Sequence, residues 1–398
     1  MRVAFVTGGF PSKENPMHGI FNYRAVKGIK EFVDIEVFRI RMWRPFVSFK
    51  NSYELDDIKV HEFFIPLPPY TKYSLKLQVL LIKYFGWQLI KNDIKSFDII
   101  HSVGASVSGI ASAYWAQMTD VHHVTQVIGS DLIFQLPRLK NLPFVKGWTR
   151  WVHGVSCNTN FLKNLFQKNF PDVPNVEAIY RGTDLETFTP EGPGLDEILS
   201  LNGTRFLFVG GFPNYPDIPY GDNLKGGRTI LKAWEIVDSE VENSTSPPVF
   251  IIGGPFSDTP EIRRWKNSLK HPDRVKILGK INPLDMPNLY RSVNVLLLPS
   301  LSEGMPNAAV EASASGVPVF GSKVDGVPEL IKNGYNGLLI PPGIPEEWAK
   351  AILTYYDKLD LLKAMGRNAR EFVEKKFDAR NFPIRMVRLY RKALEVKL

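Results

Sequence analysis

The sequence predicts an α/β protein of two domains, each built on a mostly parallel sheet. Three observations carry the prediction. Residues 293–342, VNVLLLPSLSEGMPNAAVEASASGVPVFGSKVDGVPELIKNGYNGLLIPP, alternate short apolar runs with helical stretches: strand, helix 305–315, strand, helix VPELIKN, strand. The same alternation runs through the first half, from RVAFVTGGF to GVSCNT. Between the halves, PEGPGLDEILSLNGT is Gly/Pro-rich and polar, which is linker chemistry, and 398 residues are enough for two domains of ordinary size.

In open α/β sheets, ligands bind outside the carboxyl ends of the strands, so the turn after VNVLLLPS is the candidate site. Pro306 suits the first helical position and Gly316 the stop after the helix. Such a helix leaves the N–H groups of Met305, Asn307 and Ala308, just past Gly304, unpaired and facing the strand ends, where a phosphate can sit. Glu303 lies before that N-terminus and Glu311 inside the helix. Two carboxylates there can accept hydrogen bonds from sugar hydroxyls on either side of a phosphate. The plainer alternative is an ordinary helix with Glu303 as its cap and Glu311 solvated.

The motif Glu303-x7-Glu311 inside SEGMPNAAVEASASGVPV, followed by GVPELI and NGLLIPP, resembles the retaining GT-B glycosyltransferases of the group-one family, family four. The resemblance implies two Rossmann-like α/β domains facing each other across a cleft. Residues 1–190 would form the acceptor side and 200–380 the nucleotide-sugar side, with 381–398 a helix crossing back to the first domain.

In chain order, residues 2–10 read as a strand ending in Gly8-Gly9-Phe10, followed by the loop PSKENPMH and a helix from about Gly19 to Phe32. The glycine spacing is no G-x-G-x-x-G fingerprint. FPSKENPMHGIF looks like the family's opening segment, which would bring Gly19 near the phosphates or the acceptor; a plain structural turn is the alternative. IEVFRI and KVHEFFIPL read as strands. Residues 74–93 form an amphipathic helix with Leu75, Val79, Ile82, Phe85 and Leu89 at helical spacing and Lys76, Lys83 and Lys91 among them. That face either packs on the sheet or rests on anionic lipid. DIIHSV, a helix from Ala105 to Gln117 and HHVTQVIGSDL continue the alternation. The family usually carries a histidine before the glycine of the last turn; here it is Ile128, with Gly129, Ser130 and Asp131 retained. Asp131 is either an active-site polar group or the cap of the following turn.

The segment VEAIYRGTDLETFTP resembles the family's domain-junction signature, with Arg181 where asparagine is usual. The second half opens with TRFLFVGG. The family's phosphate-gripping arginine is replaced by Gly211, and FPNYPDIPYGDN is inserted before Lys225. Lys225 begins a helix through Val237. A lysine there opposes the helix dipole unless an anion lies between. Arg181 or Arg228 would stand in for the missing arginine. PVFIIGGPFSD and RVKILGKI are strand-and-turn units whose family counterparts hold the base through backbone atoms, which points to Gly253, Gly254, Lys280 and Ile281. Helices over about 346–357, 360–374 and 378–394 close the chain.

Composition narrows the class. Hydrophobic content of 44% and charged content of 23% suit a soluble globular protein, and no apolar run reaches the ~18 residues of a spanning helix. The opening MRVAFVTGGF reads as a strand, not a cleavable leader. The single Cys157 cannot form an internal disulfide, which fits a reducing compartment. A net charge of +8 favours anionic partners. No zinc-ligand spacing, RNP-like motif or basic block points to nucleic acid, which leaves nucleotide sugars and an acidic membrane surface.

The resemblance thus implies transfer of a hexose-type sugar from a nucleotide diphosphate sugar to a hydroxyl of a glycan or lipid-linked acceptor in cell-surface polysaccharide synthesis. Glu303, Lys225 and Asp131 would be catalytic. Glu311 would hold the ribose, with Gly304, Met305, Pro306, Asn307 and Ala308 around the phosphates. Neither metal nor further cofactor is expected. The place is cytoplasmic, on the inner face of the cell membrane. A GT-B-fold epimerase and an inactive nucleotide-sugar-binding module are the alternatives.

Overall fold

The computed structural model describes residues 1–42, 47–66, 74–210, 212, 224–241 and 244–397. The chain divides into two units, Met1–Arg181 with Arg380–Leu398, and Gly182–Ala379.

The first unit holds an eight-stranded sheet in the order β3-β4-β2-β1-β5-β6-β7-β8. Its strands are β1 (Arg2–Thr7), β2 (Asp34–Met42), β3 (Lys50–Leu55), β4 (Ile58–Ile65), β5 (Ile99–Val103), β6 (His122–Val127), β7 (Gly154–Cys157) and β8 (Val176–Ala178). All neighbours run parallel except β3 and β4, a hairpin closed by Asp56 and Asp57, both at positive φ. The positive φ at both central residues matches the right-handed twist of the flanking strands, which favours such two-residue turns. The pattern of β3 is polar and its turn is Asp-Asp instead of the usual Asn-Gly or Asp-Gly, so neither periodicity nor turn chemistry marks it in the sequence.

β1 and β5 are buried on both faces because helices cover both sides of the sheet, and apart from Thr7, His101 and Ser102 their buried residues are apolar. On one side the helix Asn381–Leu394 buries Phe382, Met386, Leu389 and Tyr390 against Val3, Phe5, Ile99 and Val124. A Cβ on Gly28 would lie 2.6 Å from the ring of Pro383, so the close packing of Ile20–Lys30 on that helix requires glycine. Opposite lies the helical stretch 75–94, whose Val79, Ile82, Trp87, Ile90 and Ile94 are buried; its apolar face packs into the domain. A π turn over Ile82–Gly86 interrupts it, and the Trp115 indole donates to the Lys83 carbonyl at 3.2 Å. Cys157 is fully buried, and burial pushes its thiol well above the ordinary range, so it is unreactive packing.

The second unit holds a six-stranded, all-parallel sheet in the order β11-β10-β9-β12-β13-β14. The strands are β9 (Thr204–Val209), β10 (Pro248–Gly253), β11 (Val275–Gly279), β12 (Val295–Leu298), β13 (Val319–Ser322) and β14 (Gly337–Ile340). Trp234 from the helix Gly227–Glu240 stacks on Phe250, and Trp348 from Pro345–Tyr355 fills the same core. Two expectations are corrected here. VPELIKN is no helix but a single 3-10 turn at Val327–Glu329, because Ile331 must turn inward against Gly321 and Asn336 already binds the Leu330 carbonyl and Lys332 N–H. The helix after β12 runs over Asn307–Ala314, with Pro306 as its N-cap in extended backbone and not in the first turn.

His101 and His123 are fully buried in the first unit, on β5 and β6. The Nδ1 of His101 meets the Tyr390 hydroxyl at 2.5 Å, and the Nε2 of His123 meets the Ser102 hydroxyl at 2.9 Å. Burial pushes both imidazoles down to about 3. Unfolding exposes them at about 6.5, so the unfolded chain takes up protons that the folded chain refuses. Their contribution is present above pH 6.5 and is lost as pH falls. Lowering the pH from 7 to 5.5 should cost about 2.5 kcal/mol from these two groups. Urea midpoints at the two pH values check this, and His123→Gln should remove about half of the difference.

Candidate active site

The second unit's site is built on backbone contacts. Leu301 N–H donates to the Leu224 carbonyl at 2.9 Å, tying the segment before the Gly227–Glu240 helix to the exit of β12. Gly226 is left-handed at φ +69, and a Cβ there would sit 1.8 Å from the Pro299 carbonyl oxygen. Only glycine fits that approach. It sets Lys225 beside residue 303: Lys225 Nζ lies 2.5 Å from Glu303 Oε1, which also accepts from Ser300 Oγ at 3.0 Å. Lys225 is half exposed while Glu303 is 9% exposed. The unfavourable placement of a lysine at a helix N-terminus is thus offset by a carboxylate of the same unit.

Asp325, left-handed at φ +44, accepts from Glu303 N–H at 3.0 Å and from the Ser302 hydroxyl, while Gly326 N–H donates to the Glu303 carbonyl at 3.2 Å. Residue 303 is held through its N–H, its carbonyl and its side chain. Beyond it, Ala309 and Val310 N–H both donate to the Pro306 carbonyl. The N–H groups of Met305, Asn307 and Ala308 make no hydrogen bond among the described residues. These are the orphan donors of a helix start and form a ready anion cradle.

Glu311 is not solvated: it is 9% exposed and accepts from the Tyr290 hydroxyl at 3.3 Å. Burial, then the Glu311 charge, push the Tyr290 hydroxyl well above its usual range, so it stays protonated and donates. Gly253, Gly254 and Ile281 also come together. Gly254 N–H donates to the Gly279 carbonyl at 2.8 Å, and a Cβ on Gly253 would lie 2.2 Å from Ile281 Cδ1. The Gly253 carbonyl accepts from Gly210 N–H at 3.2 Å, which joins this group to the end of β9. Lys280 is exposed beside it, and Arg228 is exposed in the first turn of its helix. Phe256, 64% exposed at φ +60, holds a backbone conformation rare for a bulky residue.

Gly19, Asp131 and Arg181 belong to the first unit. Gly19 is a left-handed turn residue whose Cβ would meet the Gly9 carbonyl carbon at 2.2 Å. Asp131 is 3% exposed and accepts from Ala105 N–H at 2.6 Å, Gly129 N–H at 2.7 Å and Ile128 N–H at 3.1 Å. Burial nonetheless raises its carboxyl above the usual range. This is the geometry of a cap that ties the turn after β6 to the one after β5. Arg181 binds Asn22 and Gln126. Gly211 and all of the insertion 212–223 except Phe212 lie outside the described residues.

Tyr290, Ser300 and Asp325 are site residues that sequence reasoning missed. The Asp-Gly pair at 325–326 is a turn signal that would have placed Asp325 outside a helix; nothing local distinguishes Tyr290 from any core tyrosine.

Comparison with known proteins shows what this geometry is similar to. Residues 203–358 match the family described as Glycosyl transferases group 1. An uncharacterized glycosyltransferase of Methanocaldococcus jannaschii is 27% identical over 89% of this chain and 91% of its own. The Escherichia coli UDP-Gal:alpha-D-GlcNAc-diphosphoundecaprenol alpha-1,3-galactosyltransferase is 26% identical over 81% of each chain. Among solved structures, sucrose-phosphate synthase from Thermosynechococcus elongatus superposes with a TM-score of 0.75 over the whole of both chains at 19% identity. The fold is GT-B, and the chain is similar to glycosyltransferases, with the match to the group 1 family lying in residues 203–358.

Gly226→Ala should destabilise the second unit by more than about 1 kcal/mol, because the new methyl group meets the Pro299 carbonyl in a left-handed backbone. Thermal unfolding reads the loss directly.

Proposed function

We propose that the protein transfers a hexose-type sugar, with retention of anomeric configuration, from a nucleotide diphosphate sugar to a hydroxyl of a glycan or lipid-linked acceptor in cell-surface polysaccharide synthesis. One observation carries the reading: the Lys225–Glu303 ion pair stands in the same segment as three unpaired N–H groups and the buried Glu311. The diphosphate sits on the N–H groups of Met305, Asn307 and Ala308, with Lys225 adding a mobile positive charge as the leaving group gains negative charge. Glu311, oriented by Tyr290, accepts the ribose hydroxyls. Glu303 orients the donor sugar. The base lies against the backbone around Gly253, Gly254 and Ile281.

In the reaction the bond from the sugar C1 to the phosphate oxygen breaks and the bond from C1 to the acceptor oxygen forms on the same face. The acceptor's proton passes to the departing phosphate oxygen. Positioning and charge stabilisation supply the rate, and the scheme calls on no metal. The name of the Escherichia coli relative, with its UDP-Gal donor and diphosphoundecaprenol acceptor, supports a lipid-linked acceptor here. The net charge of +8 supports work at an acidic membrane face, the cytoplasmic one. No helix among the described residues is long and apolar enough to cross a membrane.

The test is a panel of UDP-, GDP- and ADP-sugars, scored for thermal stabilisation and nucleotide release. One donor should stabilise the wild type and fail to stabilise Glu311→Ala. Lys225→Ala should lower kcat by about 10²–10³ with a smaller change in KM. NMR of the product's anomeric proton decides retention. The departures at Ile128 and Gly211 favour an inactive binding module as the second reading: donor binding without any nucleotide release would establish it. Interconversion of donor sugars without an acceptor would establish an epimerase.

A further inference from the structure

We propose that the first unit carries an oxyanion site centred on Arg181, and that the anion it takes is a phosphate or carboxylate of the acceptor, not the donor's diphosphate. The assignment to the acceptor rests on the function proposed above; the existence of the site does not.

Arg181 has an unusual set of neighbours. One terminal nitrogen donates to Asn22 Oδ1 at 2.9 Å and Gln126 Oε1 at 2.7 Å. Both amides are fixed in that orientation. Asn22 Nδ2 donates to Thr7 Oγ1 at 2.9 Å and the Gly9 carbonyl at 2.8 Å, and Gln126 Nε2 donates to Asn158 Oδ1 at 3.0 Å. The guanidinium Nε is buried and has no partner. Both partners of Arg181 are neutral, and no carboxylate pairs with it among the described residues. Arg39, fully buried in this unit where Arg181 is partly buried, shows the ordinary solution: Glu62 Oε1 lies 2.9 Å from it. Burial alone pushes the Arg181 guanidinium down to about 10, with no acidic neighbour opposing the shift. A partly desolvated cation held only by neutral amides is unfavourable, and a countercharge from outside the chain relieves it.

The place also fits a ligand. Thr7 ends β1, Gln126 lies at the end of β6 and Asn158 just past β7. β1 is flanked by β2 on one side and β5 on the other, so the strand order reverses there. Open parallel sheets bind ligands at the carboxyl ends of their strands, at that reversal. The second unit has phosphate partners of its own in Lys225 and the N–H groups of 305, 307 and 308. That leaves Arg181 for a different anion. An arginine stands here where the family resemblance gives asparagine, which makes the site a property of this chain.

The test uses the whole protein, labelled with ¹⁵N, and follows the Arg181 Nε–H signal, assigned by its loss in Arg181→Lys. Inorganic phosphate should shift the signal saturably, sodium chloride at matched ionic strength should not, and saturating UDP should leave the phosphate response in place. Gln126→Glu puts a carboxylate where the amide oxygen lies, and the Asn158 amide can turn to donate to it. The variant should fold, keep its UDP affinity within about twofold and bind phosphate at least tenfold more weakly. Calorimetry on Arg181→Gln should give the same pair of results. A phosphate response no different from chloride's, or one that survives in Gln126→Glu, overturns the site. Phosphate displaced by UDP, or a tenfold loss of UDP affinity in Arg181→Gln, overturns the acceptor assignment and gives the arginine to the donor. Failure of the wild type to bind any nucleotide would defeat the proposed function instead, and the phosphate titration would still decide the site.

Discussion

The site depends on one steric constraint: the backbone of Gly226 lies against the Pro299 carbonyl, where no side chain fits. That approach aligns the start of the Gly227–Glu240 helix with the exit of β12, and Leu301 N–H to the Leu224 carbonyl closes the seam. Lys225 then stands beside Glu303, its side chain half exposed. Residue 303 is in turn fixed by Asp325 and Gly326, so lysine and carboxylate meet without either having to search. The arrangement is pre-organised by backbone, and the side chains inherit their positions.

Electrostatics differ between the units. In the second, the cation at the helix start has an anion within the unit, and the buried Glu311 has a protonated tyrosine. In the first, His101 and His123 lose their charge to burial, Asp131 is surrounded by backbone N–H groups, and the buried Arg39 is paired with Glu62. Arg181 differs in having only neutral partners among the described residues, while a guanidinium does not give up its proton at any physiological pH.

What the sequence disclosed follows the physics of each signal. Strands of the parallel sheets were legible because burial on both faces leaves runs such as Val295–Leu298 with no polar break. The pair Glu303 and Glu311 was legible from spacing within a long resembling stretch. The edge strand β3 was not, since an antiparallel strand with a polar pattern carries little hydrophobic period. The roles of Tyr290 and Ser300 depend on contacts made by folding, Tyr290 with Glu311 across 21 positions, and no local pattern encodes them. Asp131 shows the limit from the other side: an aspartate after a glycine turn reads equally as catalyst or cap, and its three backbone partners appear only in three dimensions.

The helix Asn381–Leu394 adds a temporal consequence. Its Phe382, Met386 and Leu389 complete the packing around β1 and β5, yet the whole second unit separates them in the chain from residue 181. During synthesis the first unit emerges early but lacks that wall, and its partners on Val3, Phe5 and Ile99 stay uncovered. The second unit, contiguous from Gly182 to Ala379, needs no residue beyond its own stretch to close. The first unit can therefore complete its packing only after the whole chain has been made, although its sheet is translated first.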